Sequence, residues 1–163
     1  MDNFGQDRAQ YSPSPTDYKL KWHKFLIYFS LWASALSNGL SGYQAVIGAH
    51  YGPESDQVYA IFGSGLRSLD MVMGFALFAI AAYSIYVRFQ LADFRIGAPK
   101  KLTMLYIAHL AIGFGYILAV SAATKLPLSQ FSAPDMFSSI IGSVAMIFIN
   151  QNYYNKRMEL FIH

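Results

Sequence analysis

Four stretches of this chain carry no Asp, Glu, Lys or Arg, and their lengths constrain the fold more than any motif does. They run for 29 residues between Lys24 and Glu54, 17 between Asp70 and Arg88, 23 between Lys101 and Lys125, and 20 between Asp135 and Lys156. A helix needs roughly 17 to 25 residues to cross a bilayer. Only 13% of the 163 residues are charged, against ~25% in a typical soluble domain, while 55% are hydrophobic. The pattern predicts an all-α, integral membrane four-helix antiparallel bundle. Its helices are expected at about 25–48, 66–87, 102–123 and 136–153, in a single transmembrane domain over 19–163. Residues 1–18 are polar, contain SPSP and lack an apolar signal-peptide core, so they read as a disordered cytoplasmic tail.

Basic residues set the expected orientation. With the N-terminus inside, that side collects Arg8, Lys19, Lys21, Lys24, Arg88, Arg95, Lys100, Lys101, Lys156 and Arg157, against Arg67 and Lys125 outside. A bias of ten to two predicts that both termini are cytoplasmic. The same positions explain the net charge of +3 as a topology signal, and no nucleic-acid partner is expected. The chain has no cysteine, which removes disulfides, thiolate metal sites and cysteine nucleophiles. No nucleophile–base pair, carboxylate pair or metal-ligand spacing appears, so the chain reads as a non-enzyme with no metal and no cofactor.

Helices in lipid associate through small side chains and interhelical hydrogen bonds, since lipid is as apolar as leucine. Ser30, Ser34, Asn38 and Gly42 recur every four residues on the first helix. Gly74 on the second helix, Ala108, Ala111, Gly115, Ala119 and Ala122 on the third, and Ser139, Gly142 and Ala145 on the fourth supply matching surfaces. These stripes are read as helix-packing seams.

Depth follows from the 1.5 Å rise per residue, counted from the nearest inner-side charge. His109 falls at about 12 Å, Asn150 and Ser30 at about 9 Å and Ser84 at about 6 Å, which predicts one inner polar layer. Within it, His109 is expected to hydrogen-bond Asn150 or Ser30, although an intramembrane ionisable group is also a functional candidate. Arg67 and Asp70, three residues apart at the outer mouth of the second helix, are expected to pair. Ser64 or Ser68 would cap that helix and Asp70 would meet its dipole, solvated at the bilayer edge without a buried partner.

The runs KFLIYFSLWASALSNGLSGYQ and LDMVMGFALFAIAAYSIYVRF resemble small uncharacterised four-helix membrane proteins of Gram-positive anaerobes. That resemblance implies the fold and a bacterial cell membrane, and no catalytic residue. The expected function is that of an accessory or scaffold subunit acting through helix packing, with the lipid bilayer, other membrane proteins or itself as partners. The alternative is a small transporter or channel whose path lies between protomers.

Overall fold

The computed structural model describes residues 19–128 and 133–162, without the side chains of 133–139. The expected tail over 1–18 and the loop tip bearing Phe131 lie outside the described residues. Every regular element among those described is helical, in agreement with an all-α chain. The chain forms α1 (Lys21–Phe25), a π turn (Leu26–Ser30), α2 (Leu31–Ile47), a 3-10 turn (Ala49–Glu54), α3 (Ser55–Ala92), α4 (Ala98–Thr124), α5 (Ala133–Asn155) and a final 3-10 turn (Met158–Leu160).

Punctuation in the sequence sets these boundaries. The prolines of the described α-helices are Pro99 and Pro134, each at the second position of its helix, where the missing N–H breaks no bond. Gly48 ends α2 in the left-handed conformation, at φ 79°. The second expected helix starts earlier than read from the charges, because the apolar patch Val58 to Phe62 is itself helical. Gly63 then breaks the run at φ 78° and ψ −174°, a region open essentially to glycine alone. The helix α3 is therefore two legs, 55–62 and 64–92.

Register between elements follows from paired side chains. Arg88 meets Ile27 and Ser84 meets Ser34, while an added Cβ on Gly42 would touch the Gly74 carbonyl. The rising number on one helix against the falling number on the other makes α2 and α3 antiparallel. Lys101 on Gln90 and Tyr116 on Asp70 do the same for α3 and α4. The core lies where all these helices meet the C-terminal turn, and it joins Leu26, Leu31, Val87, Leu91, Leu102 and Tyr154 with Leu160 and Phe161.

Many large apolar side chains face outward. Leu36 is 73% exposed, and Phe75, Phe114, Ile141 and Phe148 also stand out from their helices. Two helical runs, Lys21–Ala92 and Ala98–Thr124, are long and apolar enough to cross a membrane. The first of them doubles back through the turn at Gly48 to Glu54.

Candidate functional site

The most demanding group in the molecule is Asp70, whose side chain has no exposed surface. A carboxylate taken out of water must be hydrogen-bonded to persist, and here three tyrosines do it. Tyr116 of α4 donates its hydroxyl to Oδ1 at 2.5 Å, Tyr59 donates to Oδ2 at 2.9 Å, and Tyr51 donates to Oδ1 at 3.4 Å. Nε2 of His50 stands 3.7 Å from Oδ2, and its Nδ1 lies 3.3 Å from the Gln44 carbonyl.

The backbone breaks make this cluster. Tyr59 and Asp70 are eleven residues apart, which in an unbroken helix would set them about 16 Å apart along the axis. The break at Gly63 turns the first leg back, so the Tyr59 hydroxyl reaches the carboxylate. The ring of Tyr59 packs on Gly48, where an added Cβ would lie 2.8 Å from the ring edge. Burial pushes the Tyr51 and Tyr59 hydroxyls up, and the adjoining Asp70 carboxylate pushes the same way, so both remain protonated donors.

Three sequence expectations fail here. Arg67 does not carry Asp70: it is exposed, with Cζ 5.3 Å from the centre of the Tyr59 ring. Asp70 does not sit in water at a helix start, and Ser68 returns its hydroxyl to the Ser64 carbonyl at 3.0 Å instead of capping. The spacing of three residues allowed an Arg67–Asp70 pair, but the tyrosines supply donors without burying a second charge. His50, Tyr51, Tyr59 and Tyr116 were missed. The signal that could have found them is the carboxylate itself, since a charge at helix depth demands donors from neighbouring elements.

Polar side chains do meet near the end that carries both described termini, but they are not the four expected. Trp22 donates Nε1–H to Asn150 Oδ1 at 2.9 Å, and Tyr106 stands against both Asn150 and Ser30. Next to them, His23 is buried, meets the Tyr154 hydroxyl at 3.0 Å through Nδ1, and stacks on Phe94. His109 is exposed, three residues beyond Tyr106 on α4, and does not join Asn150 or Ser30. Depth along an axis says nothing about which way a side chain faces. Ser84 is buried but belongs to the α2–α3 seam, 3.5 Å from Ser34, whose carbonyl accepts Asn38 Nδ2–H at 2.8 Å.

A double-mutant cycle separates the two versions of the layer. Trp22→Phe and Asn150→Leu should each destabilise, with a coupling of roughly 0.5 to 3 kcal/mol, as for residues in direct contact. His109→Leu and Asn150→Leu should be additive. Unfolding titrations of the single and double variants measure both.

Gly42 and Gly74 form the tightest approach of α2 to α3, whereas an added Cβ at Gly115 or Gly142 would meet nothing within 4 Å. Among the described residues, no three His, Cys, Asp or Glu side chains lie close enough to hold a metal ion. No family model matches the chain, and no curated protein and no solved structure matches it.

Proposed function

We propose that the chain is a four-helix integral membrane protein of the bacterial cell membrane, with both termini cytoplasmic, which acts without catalysis as an accessory or scaffold subunit. The spans are the α1–α2 run, the second leg of α3, α4 and α5. Cations support the orientation, since Arg88, Lys101 and Arg157 each stand over an aromatic ring at the end that carries both termini. In this cysteine-free chain, a cysteine at Gln57 should react with an impermeant thiol reagent in intact cells, and one at Lys100 only after lysis. The reverse pattern would invert the topology.

The observation that carries the subunit reading is the contrast between two sets of glycines. Gly42 and Gly74 are consumed by contact inside the chain, while Gly115 of α4 and Gly142 of α5 have open space where a side chain would be. Small residues in lipid are useful where another helix comes close, so the α4–α5 face is shaped for another membrane protein or a second copy. A photoreactive residue at exposed Leu118, one turn along α4 from Gly115, should give one discrete cross-linked product in native membranes, whereas one at exposed Leu36 should give lipid adducts. Gly115→Leu should leave thermal stability unchanged and abolish that product. Lipid adducts alone at both sites would end the subunit reading.

The buried carboxylate favours a second reading, a small transporter or channel, because an intramembrane acid is a default candidate for an ion path. Liposomes decide it: flux that Asp70→Asn abolishes would support a path, and no flux from the wild-type protein would remove it.

A further inference from the structure

We propose that Arg88 is a specific seat for the phosphate of an anionic phospholipid in the leaflet nearer the chain termini. The inference rests on the membrane reading above and adds a ligand to it. Arg88 is half-buried on α3, facing the π turn of the first helical run. That wide turn opens the Ile27 carbonyl to a side-chain donor, and Arg88 Nε–H takes it at 3.2 Å. The rings of Phe89 and Trp32 hold the guanidinium at 4.7 and 5.6 Å from Cζ.

With one edge pinned and two rings beside it, the guanidinium has lost most of its freedom before any ligand arrives. Its two terminal nitrogens have no acceptor among the described residues, and the Asp93 carboxylate at this end lies beside Arg95, 3.9 Å away. Both flanking rings are themselves exposed, at 40% for Trp32 and 49% for Phe89, so the fork lies at the molecular surface. Two parallel N–H groups fit two phosphate oxygens, which a lysine cannot reproduce. Among the described residues no carboxylate pairs with Arg88, so the positive seat repels the quaternary ammonium of a choline headgroup and favours a phosphodiester whose headgroup carries no cation.

Wild-type protein, Arg88→Lys and Arg88→Gln are reconstituted in phosphatidylcholine with and without phosphatidylglycerol. Thermal midpoints are recorded, and the lipid retained after transfer to mild detergent is counted by native mass spectrometry. The wild type should keep phosphatidylglycerol selectively and melt higher when it is present, and Arg88→Lys should lose that retention about tenfold although it keeps the charge. Equal retention by all three proteins would overturn the seat. Inorganic phosphate added to the phosphatidylcholine sample distinguishes the sources: a rise in melting equal to that given by phosphatidylglycerol would assign a free-phosphate site instead.

If the Arg88 variants do not insert, the Trp22→Phe protein retains Trp32 as its one tryptophan and serves as reporter. Brominated phosphatidylglycerol should quench it more than brominated phosphatidylcholine does, and equal quenching would overturn the proposal. Failure of the membrane reading looks different, because the protein would then not float with vesicles of either composition.

Discussion

Replacing Gly74 with leucine should separate α2 from α3 and abolish the native fold. A Cβ there would lie 2.5 Å from Val46 Cγ2, 2.7 Å from the Gly42 carbonyl oxygen and 3.1 Å from the Val46 amide nitrogen. Two of those three atoms belong to backbone, which cannot swing aside, so even alanine forces the helices apart. Overpacking of this kind costs about 1 to 3 kcal/mol per site and more where relaxation is blocked. The damage spreads along the seam, because the Ser34–Ser84 contact at 3.5 Å requires the same interhelical distance. Gly74→Ala should lower the unfolding midpoint clearly and Gly74→Leu should leave no cooperative transition, in a titration in which Gly115→Ala behaves as wild type. Equal midpoints for Gly74→Ala and Gly115→Ala would show that the α2–α3 approach carries no stability.

The second large effect is expected at Asp70. Asp70→Leu removes the acceptor of the Tyr59 and Tyr116 hydroxyls and leaves these two half-buried donors without it. At about 1 to 3 kcal/mol for each orphaned group, the loss is roughly 2 to 6 kcal/mol. Asp70→Asn keeps one acceptor oxygen and turns an amide toward the other tyrosine, whose hydroxyl can rotate to accept, so it should cost about 1 to 2 kcal/mol. A solvated carboxylate at a helix start would instead lose roughly 0.3 to 1 kcal/mol on the same change. Chemical unfolding of both variants, with Tyr116→Phe as a third, separates the two pictures. Asp70→Leu within about 0.5 kcal/mol of wild type would mean that the tyrosines do not depend on the carboxylate.

How much of this was legible follows from the dimensionality of each signal. Uncharged runs fix position along a helix, and the expected helices near 25–48, 102–123 and 136–153 fall within a few residues of those observed. Four-residue spacing fixes a face, and the stripe through Ser34, Asn38 and Gly42 does lie on the α2–α3 seam. What neither signal supplies is the rotation of one helix against another. That missing angle put His109 in a layer where Tyr106 stands, and it gave Asp70 a neighbour in sequence when its partners come from three other segments. Neither signal reaches Tyr59 either, because only the break at Gly63 brings its hydroxyl to the carboxylate.

The π turn at Leu26 to Ser30 acts as a phase shift within the first helical run. A turn of this kind holds one residue more than the regular spiral, so everything ahead of it is rotated by about 100° relative to an unbroken helix. Trp22 and His23 reach Asn150 and Tyr154 because of that offset, while Ser34 and Gly42 beyond it face α3. One run thus serves two partners at different azimuths. Its sensitivity to chain length is correspondingly uneven: deleting exposed Phe29 would restore the regular spiral and swing Trp22 and His23 away from α5, although no atom of either contact had been removed.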